Sequence, residues 1–194
     1  MPTTNAKTFL QLRTEIKTES KVEGADNLDQ MIYDLIQEIL TTECENRSYL
    51  EMLVLNTEIP TVNITPSYIL PSDFMRVRTV RYRAGTFPLR VLNDKNLYVQ
   101  NPVGNAARYY EVAGSYITIE PYANIPDGDT LVLDYYKYPD TVVDAGVFPI
   151  PKLIATVKQK VIARVLLYNK SMQQAAALQA EGTKNEAMGH SSHS

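Results

Sequence analysis

The chain of 194 residues reads as an α+β fold. The expected form is a helical bundle of amphipathic helices with an inserted small antiparallel β-sandwich or barrel and a flexible C-terminal tail. Three observations predict it. Apolar residues recur at helical spacing towards both ends, over Leu28–Leu40 and over Leu153–Tyr168. Between them, from Ile59 to Pro139, the period falls towards two and Pro, Gly, Asn and Asp punctuate it. Beyond Gly182 almost nothing is apolar. The boundaries that follow are an N-terminal helical part (1–58), a β-rich insertion (59–146), C-terminal helices packing on the N-terminal ones (147–182) and a flexible tail (183–194).

The first helix is predicted over Thr8–Lys21, where Phe9, Leu12 and Ile16 share a face and Thr8 with Gln11 has capping-box spacing. Gly24-Ala25-Asp26 breaks it. Asn27 and Gln30 repeat the capping box, and Leu28, Met31, Ile32, Leu35, Ile36, Ile39 and Leu40 lay a wide apolar stripe on a second helix running to about Leu55. Strands are predicted at Ile59–Ile64, Arg76–Tyr82, Leu89–Leu92, Leu97–Val99, Tyr109–Val112, Tyr116–Glu120 and Leu131–Tyr138. Ser115–Pro139 reads as a hairpin around a proline-stiffened loop with an Asp127-Gly128 turn. Its inward packing is Ile117 and Ile119 with either Leu131 and Leu133 or Val132. Pro149 and Pro151 make a stiff corner into a helix from Leu153, which pauses near Asn169, resumes through Met172–Gln179 and is capped at Gly182.

Composition excludes several functions. A net charge of −3 argues against sequence-independent nucleic-acid binding, which needs a basic surface to neutralise phosphates. The single cysteine forbids an intrachain disulfide and suits a reducing compartment. Apolar runs fall short of the roughly 20 residues of a membrane helix, and the N-terminus lacks the apolar core of a signal peptide. The expected protein is soluble and is not an enzyme. Its two histidines, His190 and His193, sit in the polar tail, where no general base is held in place and no zinc ligand set is complete. Cys44 lies between Glu43 and Glu45, which raise rather than lower a thiol pKa. Glu120 and Asp134, on candidate neighbouring strands, have nothing further to mark them as a glycosidase pair. No cofactor and no metal are expected.

Two features point to a surface. The segment RVRTVRYR carries Arg76, Arg78, Arg81 and Arg83; strict alternation splits them between two faces unless a bulge near Thr79 re-aims them. A solvated edge strand, a protein interface and a nucleic-acid contact all fit it. The 13 tyrosines crowd the second half of the β region, and Tyr122 and Tyr136 are the ones singled out for an interface. Sheet packing, a protein interface and a sugar platform remain open for them.

The order of a long amphipathic helix, "YILPSDFMRVRTVRY" (Tyr68–Tyr82), "YYEVAGSYITIEP" (Tyr109–Pro121), "LVLDYYKYPD" (Leu131–Asp140) and a second apolar helix is similar to the head-to-tail adaptor (connector) proteins of tailed bacteriophages, of the short-tailed type. The resemblance implies a structural virion protein of the neck or tail, made in the host bacterial cytoplasm. Such a protein forms a homo-oligomeric ring, usually a dodecamer, between the portal protein and a downstream tail or nozzle protein. Genomic DNA passes through its channel without specific binding, and there is no membrane role. Subunit contacts would use Asn27–Leu55 and Pro151–Gln179, and the portal-docking candidate is the segment after Gly182, with Thr183, Lys184, Asn185 and Met188. The alternative is a β-rich binding module recognising carbohydrate or another protein.

Overall fold

A computed structural model describes residues 7–22, 28–62, 65–83, 88–92, 109–120 and 128–190, with side chains to residue 179. Among these residues the fold is α+β, with three α-helices and two sheets. The chain divides into two compact units, Met1–Glu43 with Asp140–Ser194, and Cys44–Pro139.

In the helical unit, α1 spans Phe9–Glu19 and opens on the expected capping box. The Gln11 amide donates to Thr8 Oγ1 (3.2 Å), and the Thr8 amide donates to Gln11 Oε1 (2.9 Å). Phe9, Leu12 and Ile16 are buried. The start of the helix docks on the loop that precedes the last helix. The Phe9 amide donates to the Gly146 carbonyl (2.9 Å), the Phe148 amide donates to the Lys7 carbonyl (2.9 Å), and the Phe9 and Phe148 rings lie 5.6 Å apart. A Cβ on Gly146 would stand 3.0 Å from the Phe9 ring, so a larger residue here would make that ring or the loop give by a few tenths of an ångström.

Helix α2 spans Asp29–Asn46 and buries Ile32, Ile36, Ile39 and Leu40, as its stripe predicts; Met31 and Leu35 of the stripe are half-buried, and Tyr33, outside it, is buried too. Asn27, of the second capping box, lies outside the described residues. The helix stops at Asn46 rather than near Leu55, because the stripe has no member after Leu40 except Cys44, and Leu53–Leu55 are taken into a strand. Polar groups tie α1 and α2 to the loop. Arg13 lies 3.1 Å from Asp29 and 3.4 Å from Asp144, and stacks 5.0 Å over the Tyr33 ring. Lys17 donates to Asp29 (2.7 Å), and the Tyr33 hydroxyl donates to Asp144. Burial, and then that bond to a carboxylate, push the Tyr33 phenol up to about 12.

A 3₁₀ turn at Pro151–Leu153, with proline in the first turn as expected, leads into α3, Ile154–His190. The predicted pause at Asn169 and cap at Gly182 do not occur, and residues 183–190 of the expected flexible tail continue the helix. The run QQAAALQAE is made of strong helix formers, and one glycine costs only about 1 kcal/mol against them. Residues 191–194, with His193, lie outside the described residues. Val157, Val161 and Val165 of α3 are fully buried. Ion pairs join α3 to α1 through Lys158 with Glu19 (2.7 Å) and Glu15 (3.4 Å), and to α2 through Lys160–Glu43 (2.5 Å) and Arg164–Glu38 (2.8 Å).

The described residues of the β unit form seven strands: β1 Leu53–Pro60, β2 Ser67–Ile69, β3 Phe74–Tyr82, β4 Arg90–Val91, β5 Tyr109–Ala113, β6 Tyr116–Glu120 and β7 Thr130–Lys137. One sheet has the order β1-β7-β3 and the other β2-β6-β5-β4. β1 begins inside the expected helical part and ends at Pro60, β2 has no predicted counterpart, and Leu97–Val99 lies outside the described residues. The expected all-antiparallel arrangement fails at β4, which pairs parallel to β5 through Arg90–Tyr109 and Val91–Tyr110. The connection over 92–108 is long enough for that crossover, which takes about a dozen residues or more.

Ser115–Pro139 is not a hairpin. β6 pairs with β2 and β5 in one sheet, β7 with β1 and β3 in the other. The intervening residues are too many for a tight turn, so the chain changes sheets; Asp127, Pro121 and Pro126 lie outside the described residues. The hairpin is β5–β6, closed at Gly114, whose φ of +59° suits glycine. Ile117, Ile119, Leu131, Leu133, Val80, Tyr82, Tyr68, Tyr110 and Tyr135 form one buried cluster drawn from both sheets. Val132, on the opposite row of β7 between Glu58 and Arg81, is buried as well.

Candidate interaction surface

The arginine segment lies on β3, an edge strand, and its register with β7 is broken. Val77 pairs with Tyr135 and Thr79 with Asp134, so Arg78 is an extra residue. The bulge does what strict alternation could not. Val77, Val80 and Tyr82 pair with Tyr135, Leu133 and Leu131 on the cluster side, while Arg76, Thr79 and Arg81 pair with Tyr136, Asp134 and Val132 on the outward side. Arg83 follows Arg81 on that side and forms an ion pair with Glu58 of β1.

A second bulge faces the first. β1 shifts register between Val54 and Thr57, opposite the same Asp134. Asn56 there has φ of +56°, a left-handed conformation that asparagine tolerates better than most residues. The Asn56 amide donates to the Asp134 carboxylate (2.8 Å), and its side-chain oxygen accepts from Arg81 (3.0 Å). Bulges in both neighbours thus flank one carboxylate on the central strand. They bend the sheet and present Leu55 (55% exposed), Arg78 and Arg83 to solvent. The sequence showed the arginines and the condition for uniting them; nothing in it marked the β1 bulge except Asn56 in a run of strand formers.

Arg76 has a separate task. Its guanidinium donates to the Glu45 (3.3 Å) and Cys44 (3.4 Å) carbonyls at the end of α2 and lies 5.1 Å over the Tyr136 ring. It caps a helix C-terminus, where cations are favoured, and covers Tyr136. Tyr122 lies outside the described residues; Thr183, Lys184, Asn185 and Met188 lie on the backbone of α3.

The other tyrosines divide by row. Tyr68, Tyr82, Tyr110 and Tyr135 are buried core residues, and burial pushes their phenols up, Tyr135 to about 12 with help from its bond to Asp73 (2.8 Å). The Tyr82 hydroxyl is buried and has no hydrogen-bond partner among the described residues. Tyr116 (50% exposed) and Tyr138 (39%) face solvent. A contiguous aromatic platform for sugar is therefore not formed by the described tyrosines.

Nothing described assembles a catalytic centre. Glu120 and Asp134 lie in different sheets on rows that turn away from the shared cluster, so the neighbouring-strand pair does not exist. Cys44 is fully buried. A cleft of about 340 Å³ opens between the start of β3 and β4–β5, lined mainly by apolar residues such as Phe74, Val77, Val91 and Val112 together with Arg76 and Glu111, and by no cysteine or histidine. Among the described residues no three metal-binding side chains cluster, and no helix is long and apolar enough to cross a membrane.

No curated protein matches the chain. The family model described as SU10 adaptor protein matches residues 7–192, from the residue before the α1 cap to beyond the end of α3. The match agrees with the resemblance carried by the strand motifs and leaves the tail type undetermined. The chain belongs to the SU10 adaptor protein family, structural head-to-tail adaptors of tailed bacteriophages.

Proposed function

We propose that the protein forms a ring, of twelve copies as is usual for such adaptors, that joins the portal to the downstream tail or nozzle protein in the virion neck and lets the genome through without specific contacts. The observation that carries this reading is the overhang of α3. With 37 residues it is about 55 Å long, against about 27 Å for the 18 residues of α2. The seam of Ile154, Val157, Val161 and Val165 is continued at the same helical spacing by Tyr168, Met172, Ala175 and Ala176, yet all four of these are exposed. An uncovered apolar seam on a helix gains from a partner that buries it. The seam, with Thr183, Lys184, Asn185 and Met188 beyond it, is assigned to the portal, and the neighbouring helices to subunit contacts. Mass measurement of the purified chain alone and with its portal protein tests this, together with protein analysis of virions. Expected are a ring-sized complex with the portal and presence in the particle. A chain that stays monomeric with the portal and is missing from virions overturns the reading.

A further inference from the structure

Both sheets of the β unit turn one set of rows to a single buried cluster, so their other rows point away from it. The two outward faces differ in charge. On the three-stranded sheet and its bulge, with Arg76 engaged at the end of α2, arginine still outnumbers carboxylate, Arg78, Arg81 and Arg83 against Glu58 and Asp134. On the four-stranded sheet the outward rows are Ile69–Tyr116–Ala113, Ser67–Thr118–Glu111 and Glu120–Tyr109–Arg90, where the carboxylates outnumber Arg90. Each face also exposes apolar surface, Leu55 at 55% on the first and Ile69 at 69% with Tyr116 at 50% on the second. Glu120, on the second face, is half-buried, and its Oε2 is a buried atom with no hydrogen-bond partner among the described residues.

Rotation in a closed ring brings two different patches of the same chain together, so each copy must carry both complementary halves. We propose that the occupant of the bulged arginine face is a second copy of this chain, seated through its four-stranded sheet: Arg78, Arg81 and Arg83 of one subunit meet Glu111, Tyr116 and Ile69 of the next. This rests on the ring reading above and adds to it which faces close the ring. Arginine and tyrosine are the residue types enriched in such contacts, and opposite charge fixes the order of faces and disfavours like-to-like pairing.

Charge reversal of full-length protein tests the pairing, with assembly followed by mass in solution, alone and on the portal. Arg78→Glu with Arg83→Glu, and separately Glu111→Lys with Glu120→Lys, should each weaken subunit association at least tenfold. Mixed in equal amounts, the two variants should regain ring mass, because every contact in an alternating ring again joins opposite charges. As a check that does not depend on these substitutions folding, Arg78→Cys chains mixed with Tyr116→Cys chains should cross-link on oxidation into heterodimers rather than homodimers. Reversed variants that assemble like the parent, or homodimers as the main cross-linked product, overturn the pairing and leave the ring intact. A parent chain that is monomeric both alone and on the portal overturns the ring itself.

Discussion

The helical unit and the β unit are held together by different means. In the helical unit the core is mainly aliphatic and strictly periodic, with Leu12, Ile16, Ile32, Ile36, Leu40, Val157, Val161 and Val165 at or near zero exposure. Its ion pairs ride on the surface or at the loop, except the one between buried Lys17 of α1 and Asp29 of α2. In the β unit four tyrosines share the core with aliphatic residues, and two bulges break the ladder around Asp134. A periodic apolar seam tolerates little loss of volume and little depends on any one polar group. A bulged sheet with a phenolic core depends on particular hydrogen bonds and on keeping its phenols protonated. The predictions below separate these two modes.

The largest effect is expected in the helical unit. Ile36→Ala, at a fully buried position in the middle of α2, should lower unfolding free energy by about 2–5 kcal/mol, read from urea denaturation, because the regular seam cannot collapse around the cavity. A loss below about 1 kcal/mol would mean that the seam is loosely packed, and the contrast with the β unit would then fail.

Alkaline pH acts mainly on the other unit. Tyr68, Tyr82, Tyr110 and Tyr135 of the β unit all have phenols raised by burial, against Tyr33 alone among the described residues of the helical unit. Above an unfolded phenol pKa of about 10 the unfolded chain releases these protons while the folded chain keeps them, so the unfolded state binds fewer protons and stability falls as pH rises. Stability should be full below about pH 10 and be lost as pH climbs towards about 12, the value for Tyr33 and Tyr135. Tyrosinate absorbance should appear together with unfolding, and backbone amides of β3 and β7 should lose exchange protection before those of α2. Protection lost first in α2 would reverse the assignment.

The bulges come next. Asp134→Ala removes the acceptor of the Asn56 amide and should cost about 1–2 kcal/mol, the range for a partly exposed bond to a charged group. Asn56→Val should cost a similar ~1–2 kcal/mol through its left-handed backbone, whereas Asn56→Gly should change little. Equal, negligible effects of Val and Gly at this position, measured by thermal unfolding, would show that the β1 bulge does not hold in solution.

What was legible in the sequence follows the same division. The capping box at Thr8, the α2 stripe, the proline entry to α3 and the limits of β6 were read directly, because each depends on neighbours within a few residues. The start of β1 was misread because Leu53, Val54 and Leu55 extend an apolar pattern that a short window cannot assign to helix or strand. The placing of β6 and β7 in different sheets is set by pairing between distant segments, which no local signal fixes. Of the candidate surface, the residue types were visible and their common face was not. Alternation places every side chain by counting, and one inserted residue at Arg78 resets the count.

The smallest effect carries the sharpest contrast within a single helix. Met172 lies on the same face of α3 as Val161 and Val165, at the spacing that continues their seam, but is 54% exposed where they are at 0%. In the free chain Met172→Ala should therefore shift stability by no more than about 0.5 kcal/mol, since alanine also favours helix and little packing is lost. Val161→Ala in the same background should cost several times more. The measurement is made at two protein concentrations. If Met172→Ala is neutral when dilute and destabilising when concentrated, the exposed seam is covered by other copies of the chain. If it is neutral at both and lowers affinity only for the portal, the seam is the portal's. A large loss at every concentration would mean that the overhang folds back on its own chain, and the overhang would then no longer support the adaptor reading.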